Sequence, residues 1–295
     1  MTVNTTDWPA EPFEEHRAHL RSVAYRMLGS LTEADDAVQE AWLRLSRADT
    51  GDVRDLRAWL TTVVSRVCLD MLRSRSARRE ESLDVHVPDP IVTRVDDDPA
   101  EHAVLADSIG IALLVVLDTL SPTERLAFVL HDIFAMPFEQ IGPILDRSPA
   151  AAKQLASRAR RRLRAAPPHP ADLDRQWTVV DAFLAASREG DFERLLTILD
   201  PDVVLRADAG AGRLGPSVHL TGAREVIAQA QRFRALGRYA RPVIVNGGPG
   251  FLVARDGEPL ALMAITVQDD KITEMDVLSD PARIGQLDLT DVLET

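Results

Sequence analysis

The chain has one cysteine, Cys68, so it cannot form an internal disulfide. A lone Cys among apolar helical positions reads as a packing residue in a reducing compartment. No stretch approaches the ~18 consecutive apolar residues that a membrane span needs. Met1 to Pro12 has neither the basic start nor the apolar run of a secretory signal. A soluble, cytoplasmic protein with no membrane partner is expected. Internal repeats, metal-ligand spacing, a nucleophile triad and a phosphate loop are missing from the sequence. No catalytic residue, metal or cofactor is therefore expected. Net positive charge is also lacking: 34 Lys and Arg against 46 Asp and Glu give −12, which by itself argues against a nucleic-acid partner.

The distribution of charge says otherwise. Residues 80–124 hold eleven Asp or Glu against one base, Arg94. Residues 147–164 hold Arg147, Lys153, Arg158, Arg160, Arg161, Arg162 and Arg164 and no acid. A second basic cluster comprises Arg66, Arg73, Arg75, Arg78 and Arg79. An acidic segment between two basic ones suits two separate contacts with phosphate. With 295 residues and 45% apolar content, two or three globular domains are expected.

Hydrophobic period and punctuation divide the chain into a helical unit over 8–80, an acidic Pro-containing linker over 81–106, a second helical unit over 107–167 and an α+β unit over 172–287. In the first, Leu20, Val23, Ala24, Met27 and Leu28 recur at helical spacing. Thr32 is the expected cap of the next helix, with Asp35 at its third position and Ala34, Val38, Ala41, Trp42 and Leu45 as its apolar stripe. A third helix is expected from Asp55. The linker's acidity fits either a solvated spacer or a shield for the basic faces. In the second unit, Ser121-Pro122-Thr123-Glu124 is a strong helix start, followed by starts at Met136–Glu139 and Ser148-Pro149. Three short helices with tight turns form a helix-turn-helix pattern. Pro143 and Gly142 lie inside its first helix, where a bend is expected. After Pro167-Pro168, helices at 176–189 and 192–199 precede strand-like runs at 203–206, 240–246, 251–255, 260–268 and 271–278. A helix at 223–236 interrupts them, and Asp269-Asp270 marks a hairpin.

Pro149–Arg164 is the sharpest chemical feature. Ala152, Leu155, Ala156, Ala159 and Leu163 form its inner face. Lys153, Gln154, Ser157 and Arg158 are placed for base edges or nearby phosphates, while Arg160, Arg161, Arg162 and Arg164 would hold backbone. A solvated basic face is the plainer alternative. Trp59, beside the other basic cluster, is either core or a platform for an unstacked base. Asp35, Asp36 and Glu40 form an acidic ridge that suits a basic protein partner or water.

These residues resemble a family. Tyr25–Ser30, Ala34–Trp42 and Leu56–Leu60, with Arg66, Asp70, Leu72 and Arg73, resemble region two of extracytoplasmic-function sigma factors. Leu120–Arg125 through Arg164 resembles region four. The resemblance implies that Asp35, Asp36, Gln39, Glu40 and Trp42 dock on core RNA polymerase, with the beta-prime clamp and beta flap as contact points. It implies that Trp59, Arg66, Asp70, Arg73, Arg75 and Arg78 handle the minus-ten element of promoter DNA. Arg147, Ser148, Lys153, Gln154, Ser157, Arg158 and Arg161 would handle the minus-thirty-five element. The fold so implied is two all-α sigma domains followed by an α+β cone.

Val179–Ala186, Gly190–Phe192 and Leu199–Val203 resemble SnoaL-like domains, the cone fold of polyketide cyclases. Sigma factors with such a tail use it as a built-in regulator. Their linker and tail motifs correspond, in altered form, to His86–Pro90, Asp208–Arg213 and Asp280–Ile284, which makes Asp208, Asp280 and Arg283 regulatory candidates. Asp208, His219, Tyr239 and Asp276 are the acid–base candidates if the cone has a reactive pocket, with His219 read in a loop. A small-molecule ligand in the cone stays open, and a monomer is expected. Two other readings remain at this point: a helix-turn-helix repressor or activator with a ligand-sensing cone, and a cyclase or hydrolase tail.

Overall fold

The computed structural model describes residues 10–48, 53, 55–79, 85–95, 110–163, 173–211 and 214–293, with the backbone alone for 10–11 and 77–79. The chain forms two compact units, one of residues 1–82 with 116–165 and one of 83–115 with 166–295. The described part of the expected linker thus belongs with the C-terminal domain.

In the first unit, α1 (Ala10–Leu28), α2 (Leu31–Leu45) and α3 (Leu56–Arg79) pack together. Phe13, Leu20, Val23, Met27 and Leu28 give α1 a fully buried face. The cap of α2 is Ser30 rather than Thr32: its side chain accepts from the Glu33 N–H at 3.4 Å. Both hydroxyls suit a cap, and the one at the break after Gly29 is used. Asp55 accepts from the Ala58 N–H at 2.9 Å and opens α3. The chain continues through α4 (Ile111–Asp118) to α5 (Pro122–Phe128), a π turn at Val129–Ile133, α6 (Phe138–Ile144) and α7 (Pro149–Leu163). A complete capping box between Ser121 and Glu124 starts α5.

The bend expected at Pro143 takes a different form. Pro143 is the last residue but one of α6, so the proline interrupts the hydrogen-bond ladder just before the helix stops. The chain turns after it, with Asp146 at φ 55. Gly142 serves that turn: its carbonyl accepts from the Arg147 N–H at 2.9 Å, and a Cβ there would lie 2.8 Å from the Arg147 carbonyl oxygen.

The second unit holds α8 (Leu173–Glu189), α9 (Phe192–Ile198) and α10 (Ala223–Arg232) with a seven-stranded sheet. Its strands are β1 (Val92–Thr93), β2 (Leu199–Asp208), β3 (Val218–Thr221), β4 (Ala240–Val245), β5 (Gly248–Arg255), β6 (Glu258–Gln268) and β7 (Lys271–Leu278). They are ordered β1-β4-β5-β6-β7-β2-β3, antiparallel except for the parallel pair β2 and β7. Asn246-Gly247, Asp256-Gly257 and Asp269-Asp270 all have positive φ at the centres of the hairpin turns, where the strand twist needs it. Val180, Phe183, Val203, Phe251, Ile265 and Met275 belong to the core between helices and sheet. Short helices α11 (Pro281–Ile284) and α12 (Thr290–Leu293) follow β7.

Three expectations are corrected here. Val92–Thr93, read as linker, is the edge strand β1, paired with Val245 and Ile244. His219, read in a loop, lies on β3 opposite Arg206; a run of four residues is too short to show a strand's period. The helix read to Leu236 stops at Arg232 and continues as a 3-10 turn, Arg234–Tyr239.

Candidate nucleic-acid interface

Helix α7 starts on Ser148, whose hydroxyl accepts from the Ala151 N–H at 3.2 Å. Ala152, Ala156, Ala159 and Leu163 are buried, and the three alanines seat the helix closely on α5 and α6. Lys153, Gln154, Ser157, Arg158 and Arg161 are exposed on its outer surface, with Arg147 and Ser148 exposed at its entry. Arg147, Lys153, Arg158 and Arg161 have no carboxylate partner among the described residues. Arg160 and Arg162 depart from the expectation that they hold phosphate. Arg160 pairs with Asp132 at 2.7 Å and Arg162 with Glu124 at 3.2 Å, so both are tied to their own domain. Arg164 lies outside the described residues. The arrangement is an exposed polar and cationic strip on a rigid helix, which is what a major-groove reader needs.

The second cluster is more occupied with protein. Trp59 is half-buried on α3. Arg66 donates to the Pro143 carbonyl at 3.1 Å, linking α3 to α6. Arg75 donates to the Leu28 carbonyl at 3.0 Å and pairs with Glu33. Arg73 lies 3.7 Å from Asp70, both exposed. The side chain of Arg78 lies outside the described residues. These residues share one helix, but Arg66 and Arg75 face helical neighbours.

Arg125 is a structural residue that sequence reading passed over. It is 1% exposed, pairs with Asp118, and reaches the Arg26 carbonyl at 3.3 and 3.4 Å through Nη2 and Nε. Nothing local marks it, because it follows Thr123 and Glu124 at the polar start of α5. It binds α1 to α5, and His19 adds an edge contact to Phe134 with centroids 5.4 Å apart.

On α2, Asp36 and Gln39 are exposed. Asp35 pairs with Arg21 at 2.6 Å and Glu40 with Arg44 at 2.9 Å, so the ridge is partly neutralised within the unit. Trp42 is half-buried against Phe13, with ring centroids 5.0 Å apart.

Residues 12–78 match the family model for Sigma-70 region 2, and residues 111–163 match that for Sigma-70, region 4. The chain is 40% identical over 289 residues to the ECF RNA polymerase sigma factor SigJ of Mycobacterium tuberculosis strain H37Rv, covering 91% of each protein. It is 38% identical over 288 residues to the probable ECF RNA polymerase sigma factor SigI of the same species, covering 92% of this chain and 93% of that one. The chain belongs to the extracytoplasmic-function sigma factors. The crystal structure of M. tuberculosis SigJ superposes with a TM-score of 0.75 at 35% identity, covering 96% of this chain and all of that one. As a sigma factor, the protein is a transcription initiation factor that works with RNA polymerase and promoter DNA. The repressor reading gives way to it.

In the C-terminal domain of this sigma factor, polar residues form a bracket around Arg283. Arg283 Nη1 donates to Asp208 at 2.6 Å, its Nε to Asp89 at 3.0 Å, and its Nη2 to the Val87 carbonyl at 2.6 Å. Asp208 also accepts from the Val87 N–H at 3.1 Å, and Asn246 accepts from the Ile91 N–H at 2.9 Å. Asp280 caps α11 by accepting from the Ala282 N–H at 2.9 Å. Asp276 is buried and accepts from Arg206 at 2.7 Å; burial raises its carboxyl above the ordinary range, against the pull of Arg206. His219 is exposed, and Tyr239 is half-buried under the Arg238 guanidinium, 4.7 Å from its ring centre. Among the described residues no cluster of His, Cys, Asp and Glu suits a metal, and no helix is long and apolar enough to cross a membrane.

Proposed function

We propose that α7 reads the minus-thirty-five element, α3 handles the minus-ten element, and α2 docks on the beta-prime clamp while region four meets the beta flap. In this reading Lys153, Gln154, Ser157 and Arg158 face bases, and Arg147, Ser148 and Arg161 hold phosphate at the helix entry and flank. Trp59, Arg73, Asp70, Arg75 and Arg78 serve the minus-ten strand, joined by Arg66 once region four moves away. Asp35, Asp36, Gln39, Glu40 and Trp42 supply the polymerase face. The protein acts as a monomer in the cytoplasm, where its polymerase is.

The tail, in the same proposal, restrains initiation through the linker. The observation that carries this is the Arg283 bracket, which fastens Val87 and Asp89 onto the C-terminal domain. Promoter elements about 25 base pairs apart are separated by about 85 Å at ~3.4 Å per pair. Regions two and four are packed together through Arg66–Pro143 and Arg125–Arg26, so they must part to reach both elements. A linker pinned to the tail leaves less free chain for that separation.

Run-off transcription with core polymerase and a candidate promoter tests the proposal. Arg283→Ala should raise transcript yield severalfold over the unaltered protein, and charge reversal at Asp35 and Asp36 should abolish polymerase binding. Equal yield from Arg283→Ala and the unaltered chain would remove the tail's role, and unchanged binding after charge reversal would remove that of α2.

A further inference from the structure

Strands β2 and β7 have two different faces. Leu205, Ala207, Met275 and Val277 line a cavity of about 150 Å³ together with Phe183 and Phe251 from α8 and β5. Arg206, Asp208, Glu274 and Asp276 alternate with them and point to the opposite face, as the two-residue period of a strand dictates. The acid–base candidates Asp208, His219, Tyr239 and Asp276 are absent from the cavity wall. Its polar members are Ser187, Gln229, Arg234 and Ser279. Arg234 is committed to the Arg188 and Glu189 carbonyls, both at 2.9 Å. The Ser187 hydroxyl is buried without a hydrogen-bond partner among the described residues.

We infer that this cavity is the binding site for a neutral one-ring effector, and that its occupancy strengthens the grip of the Arg283 bracket on the linker. An apolar cavity of about this size is known to accept benzene, which sets the scale at one ring. The one charged member of the wall, Arg234, already spends its Nε and Nη2 on backbone carbonyls, so a charged ligand would lose its hydration against an otherwise apolar lining without replacement. The Ser187 hydroxyl leaves room for a single hydrogen bond to an otherwise apolar molecule.

The coupling runs through one peptide. Ser279 lines the cavity, and its N–H donates to the Asp208 carbonyl at 2.7 Å. The Asp208 carboxylate, on the other face, holds Val87 and Arg283. Filling the cavity supplies the packing that β2 and β7 lack on that side and stiffens both strands. The bracket then forms on an already ordered support, so its entropic cost falls and the coupling is positive. By linkage, the bracket must tighten the effector by the same factor.

The inference rests on the proposed regulatory role of the bracket for its consequence in transcription. Its test uses neither polymerase nor promoter, so the two fail separately. Toluene would be titrated into the full chain carrying isotope-labelled methionine methyls, while Val87 amide exchange is followed. The Met263 and Met275 methyls should shift together with saturation, and Val87 exchange should slow about five-fold. Asp89→Asn, which breaks the bracket from the linker side and lies outside the cavity, should weaken toluene binding by the same factor. Methyls unmoved at millimolar toluene would overturn the site. Equal toluene affinity in Asp89→Asn, with Val87 exchange unchanged, would overturn the coupling, and equal shifts with benzoate would overturn the neutral class.

Discussion

Arg283 donates to the Asp208 carboxylate at 2.6 Å across 75 residues of chain, and the same guanidinium reaches Asp89 and the Val87 carbonyl 194 and 196 residues away. One side chain on a four-residue helix therefore joins the end of β2, the linker and the C-terminus. The Arg283 and Asp208 side chains keep only 19% and 10% of their exposure, so water cannot replace the bond cheaply.

Removing that guanidinium leaves two buried carboxylates facing each other. Arg283→Ala should lower the stability of the C-terminal domain by roughly 3 kcal/mol, the usual scale for stranding a buried charge. Urea unfolding followed on that domain measures it; a loss under about 0.5 kcal/mol would mean the bracket is open in solution.

Gly210 stands at φ +49, and a Cβ there would overlap the Asp280 carboxylate. Gly210→Ala should cost at least about 1–2 kcal/mol from the left-handed backbone alone. Because Asp280 also caps α11, the double variant with Asp280→Ala should recover only the overlap and not the backbone cost. Unfolding midpoints of the three variants decide the matter.

On α7 the exposed cations differ in their partners. Alanine at Arg147 or Arg161 should each reduce the salt dependence of promoter binding by holoenzyme by about one counterion. Arg160→Ala should change it less, since Asp132 already neutralises that guanidinium. Equal slopes for Arg161→Ala and Arg160→Ala would contradict this assignment.

His19 is held neutral. Thr61 donates its hydroxyl to the Arg57 carbonyl at 2.7 Å, so its oxygen is left to accept from His19 Nε2 at 3.2 Å. Nδ1 then accepts from Arg57 at 3.2 Å. Burial, followed by Arg57, His16 and Arg26, lowers its pKa to about 4 from the model-peptide 6.5. Between those values the unfolded chain binds a proton that the folded one does not, so stability is present above 6.5 and is lost as pH falls toward 4. His19→Gln should flatten that part of the stability–pH curve, as measured by denaturation between pH 4 and 7.

Cys68 is fully buried, and burial pushes its thiol up to about 12. It should resist iodoacetamide in the native protein and react stoichiometrically in denaturant, as mass spectrometry would show. Rapid native labelling would mean that α3 opens readily.

The sequence by itself determined the helices of regions two and four, the capping box at Ser121, the hairpin at Asp269-Asp270 and the basic strip of α7, because each is written in local period, caps and turn residues. It also carried enough motif to identify the family and the cone. Tertiary structure alone decided which cations stay available: Arg66, Arg75, Arg160 and Arg162 find protein partners far away in the chain, and no local pattern encodes that pairing. It also turned Asp208 and Arg283 into one bracket and made Val92–Thr93 a strand. A two-residue strand has no period to read, and it exists only because Val245 and Ile244 offer it an edge.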